Sequence, residues 1–367
     1  MQYQNKPRCL QLYEESIKSQ KTLEKYKECL DKFLQWTHKD YESLLLLPSD
    51  QLQIILEDYV FYLKKRVGYN TINLYLAAVC KYLTVNDREF RNSKLRMLMP
   101  EKQKPAGKLA YTTKQIQRML EFADTLRNKA LINCLAAGGF RAGAFEELKW
   151  KHVSEMPDNC YAVIVYPGSN HEYTTFLHHE ARKALDDYTT ERKQKGELIT
   201  NESYVMPNYR RSLATKPKPM TPQAVDATIL RVVKKAKIQR TREGEGKRFD
   251  TAITNGFRKR FNTILKSNAN ISYAIAERMM DHATYLESIY LDTTDTMKLF
   301  GEYKKAIPEL IIDESERLEL QNKIKDETIK KMESEKDSEI ARLKDDMKNV
   351  YRLLGQIKKE RTENKED

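Results

Sequence analysis

The stretch Thr254-Asn-Gly-Phe-Arg-Lys-Arg-Phe-Asn-Thr-Ile-Leu265 has the pattern of one amphipathic helix. Its apolar residues recur at helical spacing and predict a buried stripe: Phe257, Phe261, Ile264 and Leu265. Arg258 falls at the edge of this stripe, and Asn255 lies three residues earlier on the same helix face. An amide and a planar guanidinium can together hold a phosphate group. Taken alone, a surface arginine on an amphipathic helix remains the commoner explanation.

A second stretch downstream, Met279-Met-Asp-His-Ala-Thr-Tyr-Leu-Glu-Ser-Ile-Tyr290, predicts the start of another helix. Thr284 and Glu287 have the spacing of a capping box, so we expect this helix to begin at Thr284. His282 lies just before that start, and Tyr290 lies about two turns into the helix. A tyrosine hydroxyl has an ordinary pKa of about 10, so it attacks phosphorus only where cations neutralise the phosphate. Each of these side chains could equally be structural.

Upstream, the stretch Gly139-Phe-Arg-Ala-Gly-Ala-Phe-Glu-Glu-Leu148 supplies one more cation. The pair Gly138-Gly139 predicts a turn. Arg141 leaves this turn at the start of a short helix, where free backbone N–H groups favour anions. Along the chain, the candidate residues therefore occur in the order Arg141, Asn255-x-x-Arg258, His282 and Tyr290.

This ordered set resembles the catalytic domain of the tyrosine recombinases, the phage-integrase and Xer-like family. That family carries an arginine box, a His-x-x-Arg box, a Gly-His pair and then a nucleophilic tyrosine. The stretch from Asn255 to Thr263 and the segment from Tyr303 to Leu310 are most similar to archaeal integrases. The resemblance extends from about Glu14 to Leu310, and its motifs are specific as an ordered set.

The resemblance implies an enzyme that cuts and rejoins duplex DNA at specific sites without a metal or another cofactor. Arg141 and Arg258 would hold the scissile phosphate, and His282 and Asn255 would add hydrogen bonds to it. Tyr290 would attack the phosphorus, form a 3′-phosphotyrosyl link and release a 5′ hydroxyl. The resemblance also implies a homo-oligomer, namely a tetramer on DNA.

Several positions depart from the family pattern. Asn255 replaces the usual histidine, and it can bind phosphate but cannot titrate. Asp281 replaces the glycine before His282, and Ala144 stands where many members carry an acid that orients the first arginine. The family's hairpin lysine has no clear counterpart, although His171 lies at the corresponding turn. These departures leave an alternative open, namely a catalytically impaired, site-specific DNA-binding protein with an oligomerising tail. A coiled-coil scaffold with a basic head is a third possibility.

The pattern along the rest of the chain predicts a mainly α protein. Residues 1–99 show helical periodicity and no strand-like alternation, with helices capped by Thr22 and spanning Leu52–Lys65 and Asn70–Leu83. The resemblance identifies this part as a helical core-binding domain that clamps DNA. Residues 100–110 carry two prolines and predict a linker.

Residues 111–310 are the expected catalytic domain, which is rich in helices and contains a small β-hairpin. Thr113 is the predicted N-cap of its first helix, and a helix follows over Asn128–Leu135. The hairpin is predicted from the β-rich runs Cys160–Tyr166 and Tyr173–Leu177, which flank the turn signal Pro167-Gly168. Thr221 and Pro222 are the predicted N-cap and first residue of a later helix.

Residues 311–367 predict a long charged helix. Apolar residues step 3, 4, 3, 4, 3 along its end and form a short heptad seam that predicts a coiled coil near 340–357: Ile340, Leu343, Met347, Val350, Leu354 and Ile357. The seam is shorter than the three to four heptads that a coiled coil normally shows. A single charged helix without a partner therefore remains the alternative.

Composition narrows the class of protein. The chain has 367 residues with 65 basic and 53 acidic side chains, a net charge of +12. A basic chain favours a nucleic-acid partner, although many intracellular proteins are simply lysine-rich.

No apolar run approaches the ~20 residues of a membrane span, and residues 1–15 lack the apolar centre of a secretory signal. Five scattered cysteines predict buried thiols in a reducing compartment. We expect a cytoplasmic protein, either associated with the nucleoid or elsewhere in the host-cell interior.

Two local patterns resemble a phosphate-binding loop and a metal site, but they lack the residue type or the spacing that such sites require. The segment Gly244-Glu-Gly-Lys247 resembles a phosphate loop, but Arg248 stands where such a loop needs Ser or Thr. His178 and His179 are adjacent, so they do not present two ligands on one helix face. We therefore expect neither a nucleotide cofactor nor a metal site.

Overall fold

The structure is a computed structural model, and it describes residues 6–102, 109–209, 217–242, 249–282 and 295–363. The chain divides into two compact units, Met1–Pro105 and Ala106–Asp367. The predicted fold class is confirmed, because helices dominate, the sheets are small and antiparallel, and a long helix ends the chain. None of the helices in the described part of the chain combines the length and the apolar character that a bilayer crossing requires.

All regular structure in residues 6–102 is helical. The elements are α1 (Arg8–Glu15), α2 (Gln20–Thr37), α3 (Tyr41–Leu45), α4 (Ser49–Lys64), α5 (Tyr69–Val85) and α6 (Asn92–Met97). The apolar faces of these helices enclose a core rich in aromatic rings, in which Phe33 meets Tyr59 edge-on at 4.8 Å between ring centroids. This unit therefore has a hydrophobic core of its own.

The predicted cap of α2 at Thr22 is wrong. The helix begins earlier, and the Ser19 hydroxyl accepts the backbone N–H of Thr22 at 3.4 Å. The first turn of α2 contains only polar residues before Leu23, so hydrophobic periodicity alone places the start too late.

The second unit contains a three-stranded antiparallel sheet of β1 (Val153–Met156), β2 (Cys160–Val165) and β3 (Tyr173–Leu177), in that spatial order. Strands β2 and β3 are the predicted hairpin, and Val163 pairs with Thr175 in their register. The prediction missed β1, because this strand is short and its central residues are exposed, so it shows no alternation. Two further short strands, β4 (Pro207–Asn208) and β5 (Lys218–Pro219), pair with each other.

Most helices of this unit correspond to predicted ones with small shifts at their ends, but the helices over His179–Gln194 and Thr296–Leu310 were not predicted. The helices of the unit are α7 (Thr113–Glu121), α8 (Leu126–Gly138), α9 (His179–Gln194), α10 (Pro222–Lys235), α11 (Asn255–Ser267), α12 (Tyr273–Arg278), α13 (Thr296–Leu310) and α14 (Glu314–Glu363). A 3₁₀ helix, Ala142–Glu146, follows α8, and a second one, Trp150–His152, precedes β1.

Local side-chain hydrogen bonds explain where two of these helices begin. The Thr221 hydroxyl accepts the N–H of Ala224 at 3.3 Å and Pro222 is the first helical residue, as predicted. The predicted cap at Thr113 is wrong by one residue, because Thr112 caps α7 through a reciprocal capping box with Gln115. The helix predicted from Thr284 lies outside the described residues.

Helix α8 is the centre of the second unit, because residues Ala130–Gly138 are buried on every side. It packs against α9, α11 and β3. Tyr303 of α13 donates a hydrogen bond to the Ala137 carbonyl at 3.1 Å, and Thr175 of β3 donates one to the Gly138 carbonyl at 2.9 Å. The end of α8, and the turn that follows it, are therefore held firmly in place.

Buried polar contacts also fix the start of the long C-terminal helix. The Glu180 carboxylate accepts the backbone N–H groups of Ile312 and Asp313 at 2.8 and 3.1 Å. The Arg260 guanidinium donates to the carbonyls of Glu309 and Leu310 at the end of α13. Since Arg260 lies on α11, these bonds tie the base of α14 to the helix that also carries Arg258.

Candidate active site

Arg258 is the most deeply buried of the predicted site residues. It lies in α11 beside Phe257, Phe261 and Leu265, which form the predicted apolar stripe, and only 6% of its surface is exposed. The alternative of a surface arginine on an amphipathic helix is therefore wrong. A buried guanidinium needs hydrogen-bond partners, and two backbone carbonyls supply them: the Gly139 oxygen at 2.8 Å and the Met280 oxygen.

The backbone turn at Gly139 brings the two arginine segments together. Gly139 has φ +60° and ends α8 in the left-handed conformation that favours glycine. A Cβ atom there would lie 2.4 Å from the Phe261 ring, so α11 packs directly against this backbone. Arg141 follows two residues later, at the start of the first 3₁₀ helix. The turn thus places the Gly139 carbonyl against Arg258 and brings Arg141 into the same region.

Arg141 forms an ion pair with Asp281. Its Nη1 atom lies 2.7 Å from Oδ2 of the carboxylate. Asp281 has φ +52°, a left-handed conformation that is uncommon for residues other than Gly, Asn and Asp. Since Met280 and Asp281 are adjacent, neighbouring residues of one turn contact the two guanidinium groups.

His282 completes this turn. Its Nε2 atom lies 3.2 Å from Nη2 of Arg258, and its Nδ1 atom lies 3.7 Å from a carboxylate oxygen of Glu277. A guanidinium can only donate, so Nε2 accepts in this arrangement and the ring proton belongs on Nδ1, toward Glu277. Burial and the charges of Arg258 and Arg141 lower the pKa of His282, while Glu277 opposes this effect.

Tyr173 is a member of this cluster that the sequence analysis did not single out as a site residue. Its ring centroid lies 6.0 Å from the Arg258 guanidinium, and its side chain is almost wholly buried at the start of β3. Burial raises the pKa of the Tyr173 hydroxyl, and the charges of Arg258 and Arg141 act in the opposite direction. An inward-facing aromatic residue next to the hairpin turn was the available sequence signal.

His171, at the turn between β2 and β3, approaches the same cluster from the sheet side. Its Nδ1 atom lies 3.3 Å from Oδ2 of Asp281, although 75% of the histidine side chain is exposed. The Asp281 carboxylate therefore lies between Arg141 and the hairpin turn. Asn255 is the first residue of α11, and its side chain is exposed. Tyr290 lies outside the described residues.

The described part of the site is suited to binding an anion. Arg141, Arg258 and His282 come together although they are distant along the chain, and Asp281 is the one carboxylate that bonds directly to either arginine in the contacts of the described residues. Two fixed positive charges and one negative charge leave an excess of positive charge when His282 is neutral. Planar guanidinium groups match the oxygens of a phosphate.

Comparisons with known proteins bear on the family and the fold of this chain. The model of the phage integrase family matches residues 110–295. Among solved structures, the Tn1549 transposon integrase in complex with circular intermediate DNA is 19% identical, with a TM-score of 0.54 over 80% of this chain and 98% of that one. A lambda integrase dimer bound to a COC′ core site is 16% identical, with a TM-score of 0.50 over 78% of this chain and 95% of that one.

At these identities, the two structures show a shared fold. No curated protein matches the sequence. The family match, however, spans more than half of the 367 residues and contains every candidate site residue. The chain therefore belongs to the phage integrase family, the tyrosine-type site-specific recombinases.

Proposed function

We propose that this protein cuts and rejoins duplex DNA at specific sites through a 3′-phosphotyrosyl intermediate. The observation that carries the proposal is the convergence of Arg141 and Arg258 on the turn Met280-Asp281-His282. Such a pair of guanidinium groups has the charge and planar donor geometry to bind a scissile phosphate. The DNA-bound state of the Tn1549 and lambda integrases supports DNA as the partner.

In this proposal, the arginines stabilise the charge that develops on the phosphate oxygens during attack. The Tyr290 hydroxyl loses its proton as its oxygen bonds to phosphorus and the bond to the 5′ oxygen breaks. The 5′ oxygen takes up one proton and leaves as a hydroxyl, so no net proton is gained or lost. His282 and Asn255 add hydrogen bonds to the phosphate, and His282 donates from Nε2 once that nitrogen carries a proton. The new phosphotyrosyl bond conserves the energy of the phosphodiester, so a 5′ hydroxyl of another strand can reverse the step.

The remaining regions have roles in the same proposal. Residues 1–99 form the core-binding domain, residues 100–110 the linker, and residues 111–310 the catalytic domain. The net charge of +12 favours the DNA backbone, so affinity should fall steeply with salt. The α11 sequence is similar to archaeal integrases, and a relationship to them is part of this proposal. Action inside the host cell, at the nucleoid, is another part of it.

The C-terminal helix is proposed to join copies of this chain. The described seam residues of α14 are about half exposed: Ile340, Leu343, Met347, Val350 and Leu354. A row of apolar residues at heptad spacing buries itself best against a second, identical helix. Self-association through residues 340–357 fits a homo-oligomer on DNA, with a tetramer as the expected assembly.

A covalent-adduct assay tests the proposed function. A nicked duplex that carries a candidate recombination site traps the enzyme, because the short 5′ strand diffuses away after cleavage. We expect a protein–DNA adduct on a denaturing gel with the native chain, and none with Tyr290→Phe. Tyr273→Phe is the matched control, since Tyr273 is 61% exposed on α12 and has no role in the proposal.

The same assay decides between the enzyme and a DNA-binding protein without catalytic activity. Asn255, which cannot titrate, is the observation that favours the second function. If the native chain binds a site tightly but forms no adduct across a broad panel of nicked duplexes, the catalytic proposal is wrong. If an adduct forms, Arg141→Gln should reduce its rate by about 100- to 1,000-fold, as expected for the loss of one charge-stabilising donor.

A further inference from the structure

We propose that Asp281 is a positioning residue that orients the Arg141 guanidinium toward the scissile phosphate. This inference rests on the proposed function. It assigns a role to a residue that does not itself touch DNA or the nucleophile. The carboxylate comes from the turn before His282, so one short segment would organise both arginines of the site.

The contact between the two side chains leaves Arg141 able to bind a second anion. One nitrogen, Nη1, meets one carboxylate oxygen at 2.7 Å. A guanidinium carries N–H donors on two edges, so this single bond fixes its plane without using all its donors. A long arginine side chain otherwise samples many rotamers, and ordering it in advance lowers the cost of gripping the phosphate.

The exposure of the two side chains distinguishes a carboxylate that orients Arg141 from one that occupies the position of the phosphate. The Asp281 side chain is 17% exposed, whereas that of Arg141 is 36% exposed. The carboxylate therefore supports the guanidinium from the protein side, and the arginine is the partner that solvent reaches more easily. A carboxylate that occupied the phosphate position would be the more exposed of the two.

The backbone fixes the Asp281 carboxylate in this position. The Met280 carbonyl oxygen accepts a hydrogen bond from Arg258, and the His282 ring contacts the same arginine at 3.2 Å. Asp281 lies between these two anchored residues with φ +52°. Its backbone is consequently held beside Arg141 while both anchors hold, and the carboxylate reaches Nη1 of Arg141 from there.

The direct test is Asp281→Asn. Asparagine keeps the size of the side chain and tolerates the left-handed backbone, but it loses the charge. Asp158→Asn is the matched control, because Asp158 also has positive φ, +57°, and an ion pair, with Lys304 at 2.5 Å, at the β1–β2 turn. Both variants are compared with the native chain in single-turnover cleavage of the nicked duplex and in equilibrium DNA binding.

We expect Asp281→Asn to slow cleavage by about 10- to 100-fold, a typical effect of losing the group that orients a functional side chain. DNA affinity and the unfolding midpoint should stay close to those of Asp158→Asn. In an Arg141→Gln background, Asp281→Asn should have no further effect, because the residue acts through Arg141. An unchanged or faster cleavage rate in Asp281→Asn, or full additivity with Arg141→Gln, would overturn the inference.

A second readout separates this inference from the proposed function. Rotation of the Arg141 guanidinium can be followed by NMR of ¹⁵N-labelled arginine in the absence of DNA. We expect restricted rotation in the native chain and in Asp158→Asn, and free rotation in Asp281→Asn. If the native chain forms no adduct, the proposed function fails while this measurement still tests the orientation of Arg141. Free rotation in the native chain would overturn the inference whatever the cleavage assay shows.

Discussion

Replacing Gly139 with alanine should destabilise the second unit more than an ordinary glycine substitution does. The residue has φ +60°, and an added Cβ would lie 2.4 Å from Cδ1 and 2.7 Å from Cγ of the Phe261 ring. Phe261 is fully buried and packs near Tyr303, with 6.4 Å between the ring centroids. The ring therefore has no free space into which it can move.

The expected size of the effect follows from three terms. The left-handed backbone costs alanine about 1–2 kcal/mol relative to glycine. Overlap with a packed ring adds about 1–3 kcal/mol. The lower entropy of the unfolded alanine chain offsets about 0.4–1 kcal/mol of this loss. Gly139→Ala should therefore lower the free energy of unfolding by about 1–5 kcal/mol.

Gly196→Ala provides the matched control. Gly196 has φ +87°, but an added Cβ meets no atom within 4 Å. This variant carries the backbone cost without the overlap, so we expect it to lower the free energy of unfolding by at most about 1.6 kcal/mol. The difference between the two variants isolates the contact with Phe261.

Tryptophan fluorescence can follow the second unit alone. The chain contains two tryptophans, Trp36 in α2 and Trp150 in the second 3₁₀ helix. In a Trp36→Phe background, urea unfolding monitored at Trp150 reports on the unit that contains the site. The reasoning is refuted if Gly139→Ala and Gly196→Ala unfold at the same urea concentration, since the close approach of α11 would then be absent in solution.

Two further predictions concern acid stability and assembly. Burial lowers the pKa of His178 to about 3, below its ordinary value of about 6.5. As the pH falls, the His178 ring is therefore protonated in the unfolded chain before it is protonated in the folded one. The free energy of unfolding should fall between pH 6.5 and 4 by up to about 1.4 kcal/mol per pH unit. In urea unfolding, His178→Leu should lack this part of the dependence of stability on pH. Equal slopes of unfolding free energy against pH in the native chain and the variant would contradict the prediction. Leu343→Glu should shift the proposed oligomer to monomer in sedimentation analysis, whereas Ser338→Glu, off the seam, should not. Equal sedimentation masses for the two variants would contradict self-association through the seam.

Local sequence patterns were sufficient for much of the fold. The stripe of Phe257, Phe261 and Leu265 follows from helical periodicity, and the start of α10 follows from the residue types at Thr221 and Pro222. In each case the interacting groups are a few residues apart, so the sequence itself shows both partners. The errors have the same origin, because the caps at Ser19 and Thr112 compete with neighbouring hydroxyl residues that periodicity does not distinguish.

Patterns of residues that lie close together along the chain predict the class of fold, the order of the candidate site residues and the charged C-terminal helix. The burial of Arg258 depends on folding instead, because its partner carbonyls at Gly139 and Met280 lie 119 and 22 residues away along the chain. The same holds for the pairing of Arg141 with Asp281 across 140 residues. Periodicity reports which face of a helix is apolar, whereas the fate of a charged group depends on hydrogen-bond partners that folding brings from distant segments.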